Sequence, residues 1–184
     1  MKRVIGIGNA LTDMLVNLKT DSVLGRFKLA KGSMSLVDTR LQTEISKSVA
    51  GLPYSLSLGG SAGNTIRAMA QLGAGTGFIG KVNNDSYGRF FGESLLKHGT
   101  EADLLVSDTL PSGVASTFIS PDGERTFGTY LGAASTLKAE ELSLEMFKGY
   151  TYLFIEGYLV QEHDMILRAI ELAKEAGLHG YGKL

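Results

Sequence analysis

The sequence contains no cysteine, and that absence removes disulfides, thiolate nucleophiles and cysteine-based zinc sites together. Histidine is nearly absent too. His98, His163 and His179 lie far apart, none in a His-Glu-x-x-His or other metal-binding spacing, so histidine-held metal catalysis has no support. A surplus of one charge is also lacking. The 18 basic and 19 acidic residues are interspersed and sum to −1, which gives no footprint for a phosphate backbone and excludes nucleic acid as a partner. Long apolar runs are missing as well. The start Met1-Lys2-Arg3 is basic, but Val4 to Val16 is interrupted by Gly6, Gly8, Asn9 and Asp13, so no signal-type segment follows. No stretch reaches membrane-spanning length. The expectation is a soluble, cytoplasmic protein without a membrane partner.

What is present is a hydrophobic content of 43% with only 20% charge, enough to bury a sizeable core and to exclude disorder. Arg3 to Gly8 reads as a buried strand that delivers a loop at its carboxyl end. Phe27 to Val37 alternates around Lys31-Gly32 and suggests an antiparallel excursion. Leu41, Ile45 and Val49 recur at helical spacing. A second helix is predicted over Ala62 to Leu72, with Ile66, Met69 and Ala70 inward and Gly73 closing it. Thr76 to Gly80 is a further strand, and Asp85 caps a helix whose stripe is Tyr87, Phe91 and Leu95, ended by Gly99. This alternation favours a parallel sheet covered by helices, with ligand sites at the carboxyl ends of its strands. Val114–Ser120 and Glu124–Tyr130 flank the turn Pro121-Asp122-Gly123 and predict a β-hairpin, a small appendage or lid. Tyr152 to Ile155 reads as a core strand. Ile166, Ala169, Ile170 and Ala173 mark a last helix ended by Gly177. The segment His179 to Leu184 is short, glycine-rich and unpatterned where another apolar strand is due, so the fold reads as unfinished.

Several motifs compete for a function. Gly6-Ile7-Gly8-Asn9-Ala10-Leu11 begins like a dinucleotide fingerprint, but Leu11 occupies the third glycine position. Gly75 to Lys81 has P-loop spacing, but Val82 replaces the magnesium-binding hydroxyl, and a core strand followed by a solvated lysine is the plainer reading. Gly59-Gly60-Ser61-Ala62-Gly63-Asn64 is the most informative segment, because small residues let a ligand approach the backbone while the following helix offers free N–H groups. Asn64 both donates and accepts, which suits a hydroxyl-rich ligand. A phosphate at the helix N-terminus and a plain packing turn are the competing readings. Asp13 lies in an otherwise apolar stretch, Ala10 to Leu18, where an unpaired carboxylate is costly to bury. Ligand hydroxyls would supply its partner. A helix cap or a solvated loop position is the alternative.

Taken together, these segments resemble the ribokinase/PfkB family of carbohydrate kinases, in particular its adenosine-kinase-like branch. Gly6 to Asp13 is similar to the family's opening strand and substrate aspartate, and Gly59-Gly60 with Ala62 and Asn64 to its first glycine-rich motif. Gly73, Gly80, Asp85 and Gly88 follow at familiar spacings. Asp122 to Phe127, continuing through Thr129-Tyr130-Leu131-Gly132-Ala133-Ala134, resembles a lid strand, and Ile155-Glu156-Gly157-Tyr158 the strand end that follows it. Ile66 stands where the family's general pattern has a small residue. Nucleoside-kinase members tolerate an aliphatic residue there. The family's Asn-x-x-Glu magnesium motif and its Gly-Ala-Gly-Asp element do not occur in the 184 residues.

The resemblance implies a ribokinase-like α/β fold over residues 1–184, with a mostly parallel central sheet, flanking helices and a small antiparallel β-lid. It places lid segments at about 26–37 and 113–131 and leaves the C-terminal half missing. The implied function is ATP-dependent phosphorylation of a sugar or nucleoside hydroxyl, with ATP and Mg2+ as cofactors of the intact protein and this chain inactive alone. Asp13, Gly59, Gly60 and Asn64 are the implied substrate-binding residues, and no catalytic or metal-ligating residue is assigned. Phe118, Phe127 and Tyr130 on the hairpin would stack on a base or simply pack across strands. The lid also allows a homodimer. A non-catalytic sugar- or nucleoside-binding module and a lid-mediated interaction protein remain as alternatives.

Overall fold

The computed structural model describes residues 2–180, so Tyr181 to Leu184, the end of the unpatterned tail, lie outside the described residues. Two five-stranded sheets dominate. The first is all-parallel, in the order β10-β9-β1-β5-β6, from β1 (Arg3–Ile7), β5 (Gly75–Asn83), β6 (Thr100–Ser107), β9 (Tyr152–Ile155) and β10 (His179–Gly180). His179-Gly180 therefore does enter the sheet, as a short parallel partner of β9, where the sequence pattern had stopped.

Both faces of this sheet are covered, which is why its strands read as β-branched runs. On one face Ile5, Ile7 and Ile79 pack with Phe147 and with Ile166, Ala169 and Leu172 of α5 (His163–Glu175). On the other, Phe78 and Val82 meet Ala62 and Ile66 of α3 (Ser61–Gln71) and Phe91 and Leu95 of α4 (Ser86–Lys97). Gly6 and Gly8 face α3 at close quarters, because a Cβ at either would strike Ile66 or Ala62. The Gly-x-Gly of β1 thus serves helix packing. No helix follows it, since after Gly8-Asn9-Ala10 the chain enters β2 (Leu11–Asn17), which removes the dinucleotide reading.

The second sheet has the order β3-β8-β7-β2-β4, with β3 (Met34–Leu36), β4 (Tyr54–Leu58), β7 (Gly113–Ile119) and β8 (Arg125–Tyr130). The expected hairpin is β7–β8, turning at Gly123 with φ +86. The small antiparallel lid needs correction, however. This sheet is as large as the first and mixed, because β2–β7 and β3–β8 are parallel while β2–β4 and β7–β8 are antiparallel. Phe27 ends a short helix, α1 (Ser22–Phe27), and Met34–Leu36 pairs parallel with β8, so Phe27–Val37 is no antiparallel excursion. One face of the sheet is closed by α1 and α2 (Thr39–Val49). Leu24, Phe27, Ile45 and Val49 bury Met14, Val16, Phe118 and Tyr130, each fully covered aliphatic or aromatic side chain contributing roughly 1.5–3 kcal/mol. The opposite face carries Asp13, Ala115, Phe127 and Thr129 and looks toward the carboxyl ends of the first sheet.

Buried polar contacts brace the crossings between the sheets. Asp85 caps α4 by accepting from the Gly88 N–H at 2.8 Å, and its other oxygen accepts from the Ser112 N–H at 2.8 Å. Lys81 is not a solvated lysine. It lies buried in β5 and donates to Glu141 at 2.6 Å and to the Thr136 carbonyl at 3.1 Å, tying the return segment after β8 to the parallel sheet.

Candidate functional site

Between the sheets lies a cavity of about 490 Å3. Its polar end is built by Asn9 after β1, Asp13 on β2, Ser61 and Asn64 on the first turn of α3, and Glu156 after β9. The rest of its lining is mostly apolar and includes Met34, Leu36, Phe127, Leu131, Tyr158 and Met165.

Glu156 organises the polar end. It is 2% exposed, and its two oxygens accept four hydrogen bonds. Oε1 takes the Asn9 N–H at 3.0 Å and Asn9 Nδ2 at 2.5 Å, while Oε2 takes Ser61 Oγ at 2.9 Å and the Ala62 N–H at 3.0 Å. A carboxylate at the start of a helix meets free N–H groups and the positive end of the dipole. The anion position of α3 is thereby filled from within the protein, which removes the phosphate reading of the Gly59–Asn64 segment. The same segment has Gly-x-Ser-x-Gly spacing and does join strand β4 to a helix, as a hydrolase nucleophile turn would. Ser61 Oγ is spent on Glu156, however, and no histidine lines the cavity to activate it.

Gly60 has φ +72 and ψ 143, a backbone region that side chains other than glycine's rarely enter, and a Cβ there would collide with the Asn9 carbonyl. Gly59 does not line the cavity. A Cβ at Gly59 would strike the Asp13 carboxylate and the Leu11 carbonyl, so this glycine makes room for Asp13.

Asp13 sits mid-strand, half-buried, neither a helix cap nor a loop residue. Its carboxylate has no hydrogen-bond or ion-pair partner among the described residues. Burial pushes its pKa up to about 6, against the smaller opposing pull of Arg67 and Arg125. Asn64 opens to the same cavity and accepts from Arg67 Nη2 at 2.8 Å. The structure therefore brings Asp13, Gly60 and Asn64 together on one cavity and sets Gly59 behind it. Of the hairpin aromatics, Phe127 alone lines the cavity. Phe118 and Tyr130 are buried on the far face of their sheet.

Sequence reading missed the part played by Glu156, Asn9 and Arg67. A carboxylate directly after the apolar strand Tyr152–Ile155 is the available signal for Glu156. Among the described residues no cluster of three or more histidine, aspartate or glutamate side chains could hold a metal ion. No helix among them is long and apolar enough to cross a membrane.

A parallel sheet whose strand ends open on a cavity of about 490 Å3, roofed by a second sheet, is an α/β architecture of the kind in which ligands lie at the carboxyl ends of the strands. Comparison with known proteins narrows this. The family model described as pfkB family carbohydrate kinase matches residues 32–180, and the chain belongs to that family. It is 33% identical over 125 residues to a fructokinase-1 from Zea mays, covering 65% of this chain and 39% of that protein. It is 30% identical over 131 residues to a 5-dehydro-2-deoxygluconokinase from Listeria monocytogenes, covering 67% and 40%. Among solved structures it is similar to the adenosine kinase from Sinorhizobium meliloti, with a TM-score of 0.82 and 30% identity over 97% of this chain and 55% of that one. A probable sugar kinase from Rhizobium etli gives 0.83 and 28%, with the same coverage. The ribokinase-like fold is shown by these neighbours. The chain spans about two fifths of the length of the curated relatives and about half that of the solved ones.

Proposed function

We propose that the cavity binds the hydroxyl-bearing ring of a sugar or nucleoside, and that the protein carrying this unit transfers a phosphoryl group from ATP to one of its hydroxyls. Asp13 is the observation that carries the reading. A half-buried carboxylate without a partner, facing a cavity, stands at an energetic disadvantage that a ligand hydroxyl relieves by donating to it. Asn64 stands on the same wall, so one side chain accepts and the other donates to neighbouring hydroxyls. Gly60 lines the cavity beside them. In this reading the second sheet acts as a lid, its inner face excluding water from the ring, and Asp13, Gly60 and Asn64 form the substrate-binding set, with Gly59 behind them making room for the Asp13 carboxylate.

The apolar lining narrows the substrate. Met34, Leu36 and Phe127 offer an apolar surface that a free sugar does not need and that a nucleobase fills by stacking. We favour a nucleoside over a simple sugar on that ground. ATP supplies the phosphoryl group and Mg2+ its charge compensation, both expected of the family. In this reading the residues that hold them lie outside these 184, because the chain covers only part of its relatives' length. This chain then binds substrate but does not turn it over.

A second reading has its own observation. Met34 and Leu36 are 47% and 65% exposed on edge strand β3, an arrangement suited to pairing with the lid of a second copy. Sedimentation across a concentration series would show a monomer–dimer equilibrium weakened by Leu36→Lys. The kinase reading is tested by ADP release with Mg-ATP and adenosine, ribose and fructose as acceptors. We expect none from the 184-residue chain and adenosine-dependent release from the chain extended to the length of its relatives. Acceptor-dependent ADP from the short chain would overturn the division of labour, and none from either would overturn the kinase reading.

A further inference from the structure

Arg67 lies one turn after Asn64 on α3, half-buried, and its Nη2 donates to Asn64 Oδ1 at 2.8 Å. A guanidinium has donors only, so the carboxamide atom facing it must be the oxygen. The amide is held in one of its two orientations. What Asn64 has left to offer is Nδ2 with both hydrogens, and that group has no protein partner among the described residues. Asp13 lines the same cavity, and its ionised carboxylate is an acceptor only. From this geometry we infer that Arg67 is a positioning residue: it locks Asn64 as a hydrogen-bond donor on the cavity that also holds the acceptor Asp13, so that the pair matches a hydroxyl that donates beside one that accepts.

This rests on the reading above that the cavity takes a hydroxyl-bearing ring. A second effect of the same side chain supports it. The Arg67 charge is the larger of two that draw the Asp13 carboxyl down against its burial, the other being Arg125 at the start of β8. Glu156, Tyr158 and Glu162 are the remaining titratable groups that share the cavity with Asp13. No motif in the sequence marks Arg67. It shows only once α3 places it one turn behind Asn64, pointing its fork back along the helix.

The experiment combines Arg67→Met, which removes charge and fork, with Arg67→Lys, which keeps the charge on a single ammonium. Carbon-13 NMR titration of the Asp13 carboxyl and the side-chain amide resonances of Asn64 are read without ligand. Calorimetric titration with adenosine and with ribose follows. In Arg67→Met we expect the Asp13 midpoint to rise above its value near 6, the Asn64 amide to shift, and affinity to fall roughly tenfold. In Arg67→Lys the Asp13 midpoint stays and part of the affinity returns, a split that a merely structural loss would not produce. An unmoved Asp13 midpoint with an unchanged Asn64 amide in Arg67→Met overturns the inference. Wild-type protein that binds neither probe would defeat the proposed function, while the ligand-free titrations would still decide the role of Arg67. Should Arg67→Met fail to fold, the Asn64 amide of Arg67→Lys decides instead, because loss of the planar fork must shift it.

Discussion

Replacing Asp13 by asparagine should stabilise the ligand-free protein while abolishing binding. A carboxyl held near 6 instead of its ordinary 3.8 corresponds to about 3 kcal/mol of native-state destabilisation at neutral pH. Solvent entering the open cavity screens part of this, leaving about 1–2 kcal/mol to be recovered by a neutral side chain of the same shape. For a domain of this size that is a rise in Tm of about 5 °C. The sign follows from the raised folded-state value. The native state holds its proton more tightly than the unfolded chain, so the penalty is absent below about pH 4, grows as pH rises from 4 to 6, and is complete above 6. Thermal melts of wild type and Asp13→Asn between pH 4 and 8 should therefore coincide at the acid end and separate toward neutrality, the variant melting higher. Saturating adenosine should reverse the order by raising the wild type alone. A variant that melts below wild type at pH 8, or an offset that is equal at pH 4 and pH 8, would refute the reasoning.

The other consequences of the site are equally specific. Gly60→Ala forces a Cβ into the Asn9 carbonyl at φ +72 and should lower stability by about 2 kcal/mol or more in urea denaturation, where a neutral result would contradict the close approach. Glu156→Gln turns an NH2 group toward two of the four donors that need an acceptor, whichever way the amide lies. We expect a loss of about 2–3 kcal/mol and faster hydrogen exchange at the Ala62 amide, while wild-type protection there would show that Glu156 does not hold α3. Phe127→Ala should weaken adenosine about tenfold in calorimetry and leave ribose unchanged, and an equal loss for both would remove the base-stacking role.

The fold was legible where one period dominated. Ile45 and Val49, Phe91 and Leu95, and the strands around Pro121-Asp122-Gly123 repeat at spacings that a buried face imposes, and each falls in its expected element. It failed where the sheet was fed from both sides. Leu11 to Asn17 reads as apolar with an odd aspartate because β2 packs against helices on one face and lines a cavity on the other. Tyr54-Ser55-Leu56-Ser57-Leu58 is too short an alternation to stand out beside its neighbours, and the charged positions Glu101 and Asp103 hide β6. The parallel pairing of β3 with β8 joins segments some ninety residues apart, which no local pattern encodes. At the site, Asp13 and Asn64 stood out by chemistry, one carboxylate among apolar residues and one amide after glycines. Lys81 looked like a P-loop lysine or a solvated one because its partner Glu141 is sixty residues away. Glu156 and Arg67 act through neighbours, and such roles exist only once the chain is folded.

The account stands most directly on titration calorimetry of adenosine into wild-type protein and into Asp13→Asn at pH 7.5. It predicts saturable one-to-one binding by the wild type and none by the variant. Binding of equal affinity to both, or no binding of adenosine, ribose or fructose to the wild type, would contradict the assignment of Asp13 as the group that receives the ligand.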